Sequence, residues 1–294
     1  MWSLFRKRDD ESCSTSPGIF DFDGEKLEPL KFSNGKTQAD IVKEILDAIE
    51  SGNRIIFIKG VCGSGKSAIA LNLAKHFKKT SIIVPIKSLQ EQYEYDYTKN
   101  KFILKENNQK LKISVIKGRN NFNCVFCGGK CDAGDLPCTI ELKDKNIEQI
   151  KKYIEQNSNV NKSDFSSAGD LRRMSVAPAC PFWSPLLPSA ISAKAIETAK
   201  KLKYKSNSGE EYALFQRKRG CGYYDQYEAY INSDVMIFNS LKYILELLMG
   251  RKPKTDIDII DECDEFLDNF SNEKTINLNR LLYALSNLNP IKRE

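Results

Sequence analysis

Apolar residues recur along this chain in two alternating periods. After Thr37-Gln38-Ala39-Asp40, positions Ile41, Ile45, Leu46 and Ile49 follow at helical spacing until Gly52, which predicts a helix. Residues 54–59 (RIIFIK) then read as a short buried strand, followed by a glycine-rich turn and a helix over 67–77. Residues 81–84 predict a second strand, 87–97 a helix and 111–116 a third strand. Strands alternating with helices mark a parallel sheet covered by helices. The pattern breaks at Lys117. Scattered cysteines and prolines follow, with helical stretches near 146–156 and 190–202. Alternation resumes at 234–238 (DVMIF), with a helix near 240–249 and a strand at 256–260 (DIDII). After Asp261 the chain reads as helical again, through Ile276, Leu278, Leu281 and Leu282. The expectation is one α/β sheet domain, interrupted by an insertion and preceded by a polar N-terminal arm over 1–30.

Composition narrows this picture. In 294 residues, 41% are hydrophobic and 29% charged, as in soluble globular proteins. No run approaches the roughly 20 apolar residues of a membrane span. Met1-Trp-Ser-Leu-Phe-Arg-Lys-Arg becomes charged too soon for a secretory signal. A cytoplasmic protein with no membrane partner is expected, and in that compartment nine cysteines point to metal rather than disulfides. A net charge of +6 permits nucleic-acid binding without requiring it. The clusters Lys200, Lys201, Lys203, Lys205 and Arg217, Lys218, Arg219 read either as a solvated face or as a nucleic-acid surface.

The candidate chemistry begins at Gly60-Val-Cys-Gly63-Ser64-Gly65-Lys66-Ser67, which fits the phosphate-binding pattern G-x-x-x-x-G-K-S/T. Its glycines let successive N–H groups point at one centre, and the following helix adds its positive N-terminal end. Lys66 is expected to neutralise the β- and γ-phosphates of ATP, and Ser67 to ligate Mg2+. Such a loop needs an acidic partner. Asp261-Glu262, closing an apolar strand, supplies one. Asp261 would hold the magnesium through water, and Glu262 would orient and deprotonate the attacking water. Gln38 lies upstream of the loop, and its amide carries the donor and acceptor needed to read an adenine edge.

Cys13, Cys62 and Cys263 read as incidental. Cys124, Cys127, Cys131, Cys138, Cys180 and Cys221 lie in the insertion. Thiolates are soft ligands suited to zinc or iron–sulfur clusters. The first four, spaced C-x2-C-x3-C-x6-C, can form a local zinc site. Alternatively, ligands from across the insertion close around one iron–sulfur cluster, or the thiols are simply buried.

Several of these stretches resemble XPD/DinG-type (Rad3-related) superfamily 2 iron–sulfur DNA helicases. Lys117-Gly-Arg119-Asn-Asn-Phe-Asn-Cys124 is similar to the K-G-R-x-N-Y/F-x-C signature that opens their iron–sulfur domain. Cys221-Gly-Tyr-Tyr is similar to the C-x-Y-Y that closes it. Ser233-Asp-Val-Met-Ile-Phe-Asn239-Ser240 resembles the strand that follows, and Pro85-Ile-Lys87-Ser88-Leu-Gln-Glu-Gln92 their DNA-contacting motif Ia. Gln38 takes the place of their adenine-reading glutamine. The likeness covers roughly residues 30–270. It implies a P-loop RecA-like parallel sheet with a 4Fe–4S cluster in the insertion. Cys124 and Cys221 match the first and fourth ligands; Cys138 and Cys180 are favoured for the middle two, with Cys131 as runner-up and Cys127 also open. The resemblance further implies single-stranded or forked DNA as partner, with Phe182, Trp183, Tyr223 and Tyr224 either contacting its backbone or stacking on bases, or else packing the core of the insertion.

The implied organisation is an arm (1–30), a first part of the motor lobe (31–117), the cluster insertion (118–222), the second part of the lobe (223–264) and the start of a helical arch-like segment (265–294). Two departures stand out. Asp264 replaces the histidine of the family's D-E-A-H box, and Ser240 replaces a common histidine. The sequence ends at Glu294, so the second RecA-like lobe is expected to be absent: the chain reads as an N-terminal fragment, as one product of a split gene whose partner polypeptide carries that lobe, or as a degenerate relative. Weak ATP binding and poor hydrolysis are the corresponding expectations for the chain alone. The rival readings are a zinc-containing P-loop ATPase that does not act on DNA, and a nucleic-acid-binding subunit without turnover.

Overall fold

Thr37 starts the first helix as its sequence suggests. Its hydroxyl accepts from Asp40 N at 3.2 Å while Asp40 Oδ2 accepts from Thr37 N at 2.8 Å, a reciprocal cap for α1 (Gln38–Glu50). The computed structural model describes residues 2–8, 24–61, 63–157, 165 and 167–268. Cys13, Cys62, the Ser14–Gly18 stretch and the apolar positions at 276–282 lie outside the described residues.

Two strands precede α1, β1 (Leu4–Arg6) and β2 (Glu25–Leu27). After it come α2 (Lys66–Ala74), β3 (Thr80–Val84), α3 (Lys87–Glu94), a π-helical turn over Tyr95–Asn100, β4 (Lys101–Ile103) and β5 (Ile113–Ile116). The insertion holds α4 (Ile147–Glu155), α5 (Arg173–Val176), β6 (Leu186–Pro188), β7 (Lys200–Lys205) and β8 (Glu211–Gln216). The chain then forms α6 (Gly222–Asp225), α7 (Ala229–Asn232), β9 (Val235–Asn239), α8 (Ser240–Leu248), β10 (Ile257–Ile260) and α9 (Cys263–Asp268).

The central sheet is four-stranded and parallel, in the order β10-β3-β9-β5. Strands from both sides of the insertion therefore interleave, with β9 paired to β3 and β5. Period-two alternation divides its side chains between two cores. Ile82, Val84, Val235 and Ile237 face one core with α1 and α2 residues, whereas Ile83, Met236 and Phe238 face the other with the cysteine-rich insertion. The insertion thus supplies the cover that a parallel sheet needs on its second face. Ile82, Ile83 and Val84 are fully buried, worth about 1.5–3 kcal/mol apiece. Two antiparallel three-stranded sheets complete the fold, β2-β1-β4 and β6-β8-β7. A third small core packs α4 against Ile140 and Val176.

Three expectations differ from this architecture. Residues 54–59 are not a strand. They pair with no strand among the described residues, and Ile55 and Phe57 are exposed. Only Ile56 of that run packs against the α1/α2 core. The apolar pattern was sound, but a strand also needs a neighbouring edge. The helix expected near 190–202 is instead a single turn at Lys194–Ile196 followed by strand β7. In β7 the half-buried Leu202 and buried Tyr204 alternate with exposed Lys201, Lys203 and Lys205, a period of two, and the strand pairs with β8 along its whole length. Finally, the N-terminal stretch contributes β1, the middle strand of a sheet, rather than only an irregular arm.

Candidate nucleotide site and cysteine cluster

The glycine loop is shaped by two left-handed residues, Gly63 (φ 80°) and Gly65 (φ 71°), which L side chains rarely tolerate. Gly65 also caps α2, so the loop passes directly into the helix that Lys66 and Ser67 open. Gln38 is buried beneath it. Its Nε2 donates to Ser64 O at 3.0 Å and Gly65 O at 3.3 Å, and its Oε1 accepts from Leu30 N at 2.9 Å. A Cβ on Gly65 would lie 2.2 Å from that amide nitrogen. Gln38 therefore braces the loop from α1, with donor and acceptor both engaged on backbone rather than presented to a base.

The acidic box reaches the loop from the other end of the chain. β10 pairs with β3, and Asp261 N extends the ladder to Ile83 O at 2.9 Å. Glu262 then turns with φ 50°, an uncommon conformation for a non-glycine residue that is often kept where function needs it. This turn carries its carboxylate to Lys66: Nζ and Oε1 are 2.9 Å apart. The two candidate magnesium ligands have partners that sequence reasoning missed. Tyr93 OH donates to Asp261 Oδ2 at 2.9 Å, and Tyr97 OH is hydrogen-bonded to Ser67 Oγ at 3.1 Å. Burial and the adjacent Asp261 carboxylate push the Tyr93 phenol well above its ordinary pKa. Burial likewise raises that of Tyr97, against the opposing pull of its Ser67 hydrogen bond. Gly60 lies against Ser64 and Lys66. Asp264 is exposed, and Ser240 donates to Val84 O at 3.3 Å.

On the opposite face of the sheet, Cys124, Cys131, Cys138, Cys180 and Cys221 share one core. Cys131, Cys180 and Cys221 are buried, Cys124 and Cys138 half-buried, and Cys127 is exposed. Burial pushes the Cys131 thiol up to about 12, with neighbouring Cys221, Cys124 and Cys138 adding to it. Burial also pushes Cys180 up to about 12, opposed by its hydrogen bond from the Phe182 backbone and reinforced by Cys138, Cys124 and Cys221. The thiols therefore sense one another. Among the described residues no three ligating side chains are in metal-binding geometry. The loop 124–129 is a tight turn: Gly128 and Gly129 are left-handed, and Cys127 N donates to Cys124 Sγ at 3.4 Å.

Arg119, read from sequence only as part of the signature that opens the insertion, also takes a place at the cysteines. Its guanidinium donates to Cys138 Sγ at 3.3 Å and Tyr224 OH at 3.1 Å, and lies 4.0 Å from the Tyr223 ring centre. Arg217 donates to Cys180 O at 2.9 Å. The aromatics divide. Trp183, Tyr223 and Tyr224 are core residues with no ring face to offer a base. Phe182 is half-exposed, with Lys218 Nζ 4.9 Å from its centre. Lys200, Lys201, Lys203 and Lys205 are exposed on β7, where Lys203 pairs with Glu211 at 2.9 Å. Lys87 and Ser88 are exposed at the start of α3. No described helix is long and apolar enough to cross a membrane.

The family described as the res subunit of type III restriction enzymes (ResIII) matches residues 31–163. The match takes in α1, the glycine loop, α3 and the start of the insertion, and stops before Cys180, Cys221 and the acidic box. Neither a curated protein nor a solved structure matches the chain. The similarity supports a helicase-like P-loop domain of ATP-dependent motor type, and the mixed α/β fold with its four-stranded parallel sheet fits a RecA-like helicase domain.

Proposed function

We propose that this chain is the N-terminal motor lobe of an XPD/DinG-type iron–sulfur DNA helicase, in which ATP hydrolysis drives movement along single-stranded DNA. The observation that carries the nucleotide half is the Lys66–Glu262 contact at 2.9 Å, which joins loop and acidic box across the sheet. Both side chains are partly exposed, and such pairs contribute about 1 kcal/mol or less. An incoming phosphate, more highly charged than one carboxylate, takes Lys66 from Glu262. The freed carboxylate then orients a water and accepts its proton. Gly60, Gly63, Ser64 and Gly65 present the loop backbone to the phosphates. Gln38 keeps that backbone in place. Ser67 and Asp261 are hard oxygen donors suited to magnesium, which would neutralise charge developing on the phosphates.

For the insertion (118–222), the gathering of five thiols supports ligands drawn from distant stretches: Cys124, Cys138, Cys180 and Cys221, with Cys131 as the alternative to one of the middle two. A 4Fe–4S cluster would be held by four of these thiolates. It would serve as a structural staple for the insertion. Arg119 fits this role, because an N–H donor on sulfur stabilises the thiolate form. One observation favours zinc instead. The Cys127 N to Cys124 Sγ bond in a C-x2-C turn is a common setting for a local tetrahedral site. Metal analysis and visible absorption of anaerobically purified protein separate the two: iron and sulfide in a brown sample support the cluster, and one zinc without iron overturns it. The motor reading is tested by magnesium-dependent ATPase activity with and without single-stranded DNA, alone and with any second-lobe polypeptide. DNA-independent hydrolysis in both settings would favour an ATPase not acting on DNA.

A further inference from the structure

The α3 helix and its π-helical extension do something the motor reading does not require of them. Tyr93 and Tyr97 are four residues apart, both buried, with ring centres 5.8 Å apart. Their hydroxyls reach two different segments: Tyr93 to Asp261 Oδ2, Tyr97 to Ser67 Oγ. Each contact lands on one of the two residues with magnesium-type donors. The helix that carries them is itself fixed. Gln90 Nε2 donates to Ile116 O at 3.0 Å and to Ile237 O at 3.2 Å, bolting α3 to the sheet. We infer that Tyr93 and Tyr97 are positioning residues for magnesium, holding Asp261 and Ser67 in the orientation that leaves their remaining lone pairs to the metal. The inference rests on the nucleotide-site reading above.

The chemistry is that of outer-sphere partners. A ligating oxygen with a hydrogen-bonded neighbour keeps its orientation, and losing that neighbour typically costs 10–100-fold in metal affinity. Tyr93 donates to one carboxylate oxygen, leaving the other for the metal. Tyr97 can accept the Ser67 hydroxyl proton, which directs the serine lone pairs away from the phenol. The spacing is part of the device. Positions 93 and 97 lie on one helical face, and the second falls where the helix opens into the π turn, a distortion frequent at functional sites.

The test is a magnesium titration of fluorescent ATP-analogue binding to the full chain, with Tyr93→Phe and Tyr97→Phe. Both variants are expected to need about 10–100-fold more magnesium for half-saturation, while metal-free affinity for the same analogue stays at the wild-type value. Tyr95→Phe, at an exposed neighbouring ring, is expected to match wild type. Phe variants with wild-type magnesium dependence overturn the inference and leave the nucleotide site standing. A wild-type protein with no magnesium-dependent binding overturns both. Should a Phe variant fail to fold, tyrosine ultraviolet difference absorption of the unaltered chain reads the same contacts. A perturbation on adding magnesium to the nucleotide-bound protein supports the inference, and its absence overturns it.

Discussion

The two faces of the central sheet make different kinds of site. On the α1/α2 face, the candidate nucleotide site is shaped by backbone: left-handed glycines, a helix start and a strand end set Lys66, Ser67, Asp261 and Glu262, with Lys66 and Glu262 in contact. On the other face, five thiols meet only because separate stretches of the insertion fold over the sheet. A site of the first kind joins two motifs that each form locally, with charge paired between them. A site of the second kind depends on the insertion being folded, and its buried thiols are disfavoured as thiolates until something stabilises that charge. If the two faces are independent in this sense, a lesion on one should leave the readout of the other alone.

The largest effect breaks the nucleotide face chemically. Glu262→Gln keeps the shape of the side chain but removes the proposed base. ATP hydrolysis is expected to fall by about 10²–10⁴-fold. Magnesium–nucleotide binding should be retained, as should any metal held by the cysteine face under the proposed reading. Loss of metal in this variant would show that the faces are not separable.

Next comes the ion cluster that supports the cysteine face. Glu246 is fully buried between Lys242 and Arg251, each at 2.7 Å, and Lys242 Nζ also donates to Tyr227 OH at 2.8 Å. Glu246→Gln leaves two cations without their carboxylate and is expected to cost about 3–5 kcal/mol in denaturant unfolding. The same group sets an acid limit. Burial raises its pKa, but Lys242 and Arg251 outweigh burial and the folded value is lowered. Its contribution is therefore present above the ordinary glutamate range and is lost as pH falls through the lower folded value. Unfolding on acidification should be less steep in Glu246→Gln.

Legibility from sequence follows the same division. The glycine loop and the acidic box were readable because their geometry is local. β3, β9 and β10 were readable as runs of β-branched residues between turns. Residues 54–59 show the limit: their apolar pattern is a strand's, but pairing depends on a neighbour that the pattern does not encode. In β7 the alternation of Leu202 and Tyr204 with Lys201, Lys203 and Lys205 carries the strand period, but it begins only at the end of the 190–202 stretch read as helical. Tyr93 and Tyr97 were invisible as site residues because their partners are distant in sequence. The cysteines could be counted but not grouped, since burial, not spacing, separates Cys127 from the other five.

A smaller effect tests the loop alone. Gly65→Ala must place a methyl 2.2 Å from Gln38 Nε2 and hold φ 71°. Strain of about 1–3 kcal/mol is expected, expressed mainly as weaker nucleotide binding. Gln38→Ala in the same background should recover part of it by removing the clash. Recovery to full affinity would mean that Gln38 contributes nothing else to the loop, contrary to its three hydrogen bonds.

The smallest effect sharpens the cysteine face. Arg119→Lys preserves the positive charge but loses the planar fork that reaches Cys138 and Tyr224 together and covers the Tyr223 ring. If the guanidinium acts on the sulfur through geometry, the variant should release the metal of the proposed cysteine site to a chelator several-fold faster while nucleotide affinity is unchanged. If bulk charge were enough, Arg119→Lys would match wild type and only Arg119→Ala would differ. The comparison decides whether the cysteine face, like the nucleotide face, is built on oriented hydrogen bonds or only on proximity of opposite charge.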